Sequence, residues 1–161
     1  IRGFFLKVMK GRAAKAKYTF TEHQILDTEI GWDVMSDWED PIMVKHAEIV
    51  TKNGGDILES GFGMGISATH IQSHDINSHT IIEINDDVYE RLLKWAEDKP
   101  NVIPIKGDWA ESIPDKQYDA VFYDPYGDMM NKRGFPWLIA PYCKEGTIVS
   151  WYNNILRPSS V

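Results

Sequence analysis

The sequence predicts a doubly wound α/β domain built on a parallel sheet. Three observations carry that reading. Five short apolar runs follow residue 40, and stretches with helical character separate them. A glycine-rich turn follows the first run and leads into a helix. Acids close the second, third and fourth runs at Glu83, Asp108 and Asp124, where such sheets gather their ligands.

The elements follow in order. "EDPIMVKHAEIVTKNGG" reads as a helix: Pro41 suits its first turn, Ile42, Ala47, Ile49 and Val50 are its apolar positions, and "NGG" ends it. "DILESGFG" is a short strand running into the glycine turn, and "ISATHIQS" fits the helix after it. "HTIIEIN" is the second strand. "DDVYERLLKWAED" is a helix with Val88, Leu92 and Trp95 on one face and acids in its first turn, where they suit the helix dipole. "NVIPIKGD" and "YDAVFYDP" are the third and fourth strands. "GFPWLIAPYC" is a short helix interrupted near Pro141, and "GTIVSWYN" is the fifth strand.

With 161 residues, the chain has room for one domain with a real core. Its longest apolar runs fall well short of the roughly 18 residues that span a bilayer, so no membrane partner is expected. One cysteine, Cys143, excludes an internal disulfide framework and fits a reducing, cytoplasmic compartment. The net charge of −7 is uneven: residues 1–21 carry six bases and no acid, which leaves 11 bases against 24 acids, a net of −13, on the rest. Residues 1–33 are therefore read as a basic N-terminal arm or helix, and 34–161 as the ligand-binding domain. An acidic body disfavours a nucleic-acid groove.

"LESGFGMGIS" sets Gly61, Gly63 and Gly65 at alternate positions between strand and helix, so a ligand can approach the main chain closely. The dinucleotide fingerprint G-x-G-x-x-G needs glycine at 66, and Ile66 stands there. The form E-x-G-x-G-x-G, from Glu59 to Gly65, instead suits S-adenosylmethionine, a cation without a pyrophosphate. Glu59 is placed to face the amino-acid part of such a ligand, directly or through water. Glu83, ending the second strand, is placed to accept hydrogen bonds from ribose hydroxyls. Asp108 is placed to accept from an adenine amino group, with Trp109 packing on the ring.

Those segments resemble class I S-adenosylmethionine-dependent methyltransferases, and within them guanidinoacetate N-methyltransferase and the fungal-type protein arginine N-methyltransferases. The matching pieces are "VMSDWEDPIM", "ILESGFGMGISATHIQ", "IIEIND", "VIPIKGDW" and "YDAVFYDPY", with "KEGTIVSWYN" extending the match. The resemblance implies a Rossmann-like methyltransferase fold and S-adenosylmethionine as cofactor. It implies that Met35 and Met43 flank the methionine part and that Gly61, Phe62, Gly63, Met64, Gly65 and Ile66 wrap it. Glu83 holds the ribose, Ile84 and Asn85 are further cofactor-binding candidates, and Asp108 and Trp109 bracket the adenine. Glu39 and Asp124 hold the methyl acceptor, and Tyr126 and Asn153 are further acceptor-contact candidates. Where the guanidinoacetate enzymes have threonine after the aspartate, this chain has Pro125; their substrate-contacting threonine and serine fall at Ile155 and Leu156. The chain also ends before the sixth and seventh strands usual in the group.

A guanidinium is planar, with forked donors that pair with carboxylates. Glu39 and Asp124 therefore suit a guanidino acceptor, on a small molecule or an arginine side chain, with Glu39 as clamp and Asp124 as proton acceptor. "DPY" also resembles the D-P-P-Y motif of adenine amino-methyltransferases, where Tyr126 would stack on a flipped base; one proline is missing. A non-catalytic binding or scaffold domain is the third alternative. His70, His74, Asp75 and His79 have spacing that can bind zinc, but without a cysteine cluster they read as solvated or capping groups, and no metal is expected. The oligomeric state is not legible.

Overall fold

A computed structural model describes residues 13–126 and 134–152. Arg2, Lys7, Lys10 and Arg12 of the basic stretch, and the acceptor candidate Asn153, lie outside the described residues.

Five parallel strands form the main sheet: β4 (Asp56–Ser60), β5 (Ser78–Glu83), β6 (Val102–Lys106), β7 (Tyr118–Tyr123) and β8 (Cys143–Trp151). They lie in the order β6-β5-β4-β7-β8. The doubly wound parallel sheet expected from the sequence is therefore present. The order reverses at β4, which is fully buried along most of its length, as a strand covered on both faces must be. β8 bulges where its pairing jumps from Tyr118↔Cys143 to Ala120↔Ile148, and Gly146 takes the positive φ of 86° that the bend needs.

Helices α1 (Asp40–Val50), α2 (Ile66–Gln72) and α3 (Asp86–Ala96) alternate with the first strands, and α4 (Trp109–Ser112) and α5 (Phe135–Ile139) with the later ones. Pro41 sits in the first turn of α1, where a missing N–H costs nothing. After α5 the chain tightens into a single 3₁₀ turn at Ala140–Tyr142 around Pro141. Met43, Ala47 and Val50 of α1 pack with Ile57, Ile71 and Phe122, while Trp109, Tyr123, Phe135 and Ile139 form a second cluster. Among the described residues, no helix is long and apolar enough to cross a membrane.

The region read as a basic arm or helix holds structure that its pattern did not suggest. Three short strands, β1 (Tyr18–Phe20), β2 (Gln24–Asp27) and β3 (Trp32–Ser36), form an antiparallel meander that crosses the boundary drawn at residue 34. A single 3₁₀ turn at Asp37–Glu39 then joins β3 to α1.

Candidate functional site

Because β4, β5 and β7 are parallel neighbours, Ser60, Glu83 and Tyr123 end at one rim. The glycine turn leaves β4 between the other two. Gly61 N–H donates to the Ile82 carbonyl at 2.9 Å, and Asp124 N–H to the Ser60 carbonyl at 3.1 Å. Gly61 has a φ of +88°, and a Cβ built there would lie 2.7 Å from the Asp124 carbonyl oxygen. Only glycine lets the segment after β7 press onto the turn so closely. Gly63 has a φ of +56°, and a Cβ there would meet Met35 Sδ at 2.6 Å. That sulfur accepts the Met64 N–H at 3.2 Å, so β3 lies directly over the turn. Gly65 and Ile66 open α2, with Gly65 as its N-cap residue.

Glu83 is 7% exposed. Its Oε2 accepts the Phe62 N–H at 2.9 Å and its Oε1 the Asn85 N–H at 2.8 Å. Burial pushes its carboxyl above the ordinary carboxylate range, against the opposing pull of those backbone N–H groups and Lys106. A carboxylate has about four acceptor positions, so three backbone bonds, from Phe62, Asn85 and Ile84, leave capacity for one more donor. Ile84 is half-buried, and its carbonyl accepts from Lys106 Nζ at 2.9 Å. Asp108 caps α4 by accepting the Ala110 N–H at 3.0 Å.

Across β4, Asp124 is half-buried at the end of β7. Tyr126, two residues on, meets Tyr18 edge to face, with ring centroids 6.1 Å apart and planes at 84°. Glu39 is buried and accepts the Ser36 N–H at 3.1 Å in the reciprocal arrangement of a capping box. Ser36 Oγ in turn donates to Asp33 Oδ2 at 2.6 Å.

Five of the expected side chains are engaged within the protein. Glu59 does not face the turn. It is wholly buried, bonded to Ser67 Oγ, with His79 Nε2 2.8 Å from its other oxygen but off the hydrogen-bond line. The Phe62 N–H is held by Glu83, and its ring packs with Ala68, Val88 and Leu92 and tilts against Trp95. Met43 is fully buried in the cluster below β3. Trp109 stands edge-on to Tyr123 at 4.9 Å, inside the cluster with Phe135. Asn85 spends its side chain on structure. Its Oδ1 caps α3 through Asp87 N–H and Val88 N–H, and its Nδ2 donates to the Ala13 and Ala16 carbonyls at 3.0 and 2.9 Å. The histidines also disperse: His70 pairs with Asp40 at 2.7 Å, His74 bonds the His70 carbonyl, and His79 is buried beside Glu59.

The strand order, the glycine turn at its reversal point and the strand-end acids define a class I methyltransferase fold. A solved S-adenosylmethionine-dependent methyltransferase from Thiobacillus denitrificans, in complex with S-adenosylhomocysteine, superposes with a TM-score of 0.56 at 21% identity, over 69% of this chain and 47% of that one. The family model for guanidinoacetate N-methyltransferase matches residues 8–133, and the chain belongs to that family. Among curated relatives, protein arginine N-methyltransferase 2 of Yarrowia lipolytica is 34% identical over 71% of this chain and 27% of its own length. Its Saccharomyces cerevisiae counterpart is 31% identical over 71% of this chain and 31% of its own. The chain thus spans about a third or less of the length of these relatives.

Proposed function

We propose that the protein is an S-adenosylmethionine-dependent N-methyltransferase acting on a guanidino nitrogen, of a small molecule or an arginine side chain. The observation that carries this reading is the placing of Glu83 and Asp124 on opposite sides of the glycine turn, one strand out from β4 in each direction. The bound cofactor supplies an electrophilic methyl group on a sulfonium. Glu83 has acceptor capacity left for a ribose hydroxyl. Gly61 and Gly63 let the segment after β7 and the Met35 side chain close onto the turn, and Met35 lies where the methionine part would run. Asp124 takes the proton that the acceptor nitrogen sheds as it gains the methyl group, and it stabilises the positive charge that appears there. Glu39, buried and held by the Ser36 N–H, is the carboxylate that orients the guanidine. The family description and the names of the fungal relatives support a guanidine over other amines. The single cysteine suits cytoplasmic action.

The test is methyl transfer from labelled cofactor to guanidinoacetate, arginine, an arginine-containing peptide and single-stranded adenine DNA. Asp124→Asn should lower kcat by about 10²-fold or more, the scale of general-base loss. Glu39→Gln should raise the acceptor KM more than it lowers kcat, because a clamp used in ground and transition states contributes uniform binding. Transfer confined to the DNA would overturn the guanidine reading. Full activity of Asp124→Asn on a guanidine would remove Asp124 from the chemistry.

A further inference from the structure

We infer that Tyr18, in the N-terminal meander, is a cofactor-site residue that closes with Tyr126 an aromatic clasp over the glycine turn. Asn85, just beyond β5, holds the Ala13 and Ala16 carbonyls through its Nδ2. Thr28 holds the Lys17 carbonyl through its N–H at 2.9 Å and its hydroxyl at 2.7 Å. Tyr18 is therefore anchored on the β5 side of the rim. Tyr126 follows β7, and β4 lies between β5 and β7. Rings 6.1 Å apart that start from opposite flanks meet over the end of β4, where Gly61 to Gly65 leave the sheet. Met35, from the same meander, makes a second contact on that turn.

A ligand on the turn, bonded to Glu83 on one side and reaching Asp124 on the other, lies beneath this pair. Both tyrosines are half-buried, and Tyr18 also packs against the cluster that holds the Phe62 ring. Aromatic faces attract a sulfonium as they attract other cations. Covering the turn also removes water, which strengthens the interactions of both carboxylates. Because Tyr126 sits two residues from Asp124, the segment that meets the acceptor is the one that closes over the cofactor. Release of the demethylated product then requires the clasp to open.

This inference rests on the cofactor part of the proposed function and needs no acceptor. Its probes are S-adenosylmethionine, which carries the sulfonium, and S-adenosylhomocysteine, which does not, measured by calorimetry for affinity and by stopped-flow fluorescence for dissociation. Tyr18→Ala and Tyr126→Ala should each weaken binding by about tenfold, mainly through faster dissociation, the scale of a lost aromatic contact. The double variant should lose much less than the product of the two, because each single change already opens the clasp. Tyr18→Phe should bind like the parent. Tyr18→Leu keeps the bulk without the ring, so it reads the same effect if the alanine variant unfolds. Unchanged affinity and dissociation in Tyr18→Leu, or strictly multiplicative losses in the double variant, would overturn the clasp. Failure of the parent protein to bind S-adenosylhomocysteine would overturn the cofactor assignment itself.

Discussion

Glu83 serves two ends that pull its charge in opposite directions. Burial favours its protonated form, whereas a ribose hydroxyl needs the carboxylate as acceptor. Its folded pKa lies above the ordinary 4.5. Between those two values the folded protein holds a proton that the unfolded chain has released. Stability from this group therefore falls as pH rises through that window. Affinity for S-adenosylhomocysteine should rise over the same titration. Glu83→Gln should flatten both slopes and weaken binding; affinity and melting temperature between about pH 4.5 and 8 would show it. A surviving affinity slope in the variant would assign the ribose to another group. At this scale, the sequence made the strand-end acids legible, because a parallel sheet brings such ends to one rim. It did not show side-chain direction. Phe62, between two glycines, and Asn85, beside Glu83, are expected from the sequence as ligand contacts, yet the Phe62 ring packs against helices and the Asn85 side chain bonds to α3 and to the N-terminal segment.

The N-terminal meander is the element that pattern reading missed. Its strands have three, four and five residues, too short for alternation to rise above chance, and β2 is bulged at Ile25/Leu26. Much of its order comes from outside itself, through Asn85 and the rim, which no local pattern encodes. That dependence can be tested at one residue. Asn85→Asp keeps the oxygen that caps α3 but removes both donors to Ala13 and Ala16. The change should cost about 1–3 kcal/mol, the scale of buried carbonyls losing their donors. In hydrogen exchange, Asp87 and Val88 amides should stay protected while residues 13–20 exchange faster. Unchanged protection of residues 13–20 would show that the meander is held by other contacts. Asn85→Ala, which also removes the cap, should expose both regions.

At the scale of the molecule, the five strands of the main sheet and their parallel type were readable because five apolar runs separated by helices leave a parallel doubly wound sheet as the economical arrangement. What ties the first helix to the last strand was not readable, since it joins residues 104 positions apart. His46 on α1 places Nδ1 2.7 Å from Ser150 Oγ on β8, with its ring centroid 4.8 Å from Phe122 and 6.2 Å from Tyr152. Burial lowers its pKa below 6.5, so the folded state favours the neutral ring. Below 6.5 the unfolded chain takes up a proton before the folded protein does. Stability from this group is thus present above 6.5 and is lost as pH falls through the folded value. The direction is opposite to that of Glu83, so the two separate in single variants. His46→Gln retains a hydrogen-bonding partner for Ser150 and cannot titrate. Its melting temperature should sit near or slightly below the parent's at neutral pH and fall less steeply on acidification. Because His46 bridges α1 and β8, the difference should show in the global unfolding transition, by circular dichroism as well as by calorimetry. Parallel melting curves for parent and variant between about pH 7 and 5 would show that the bridge is formed but does not set the acid stability of the fold.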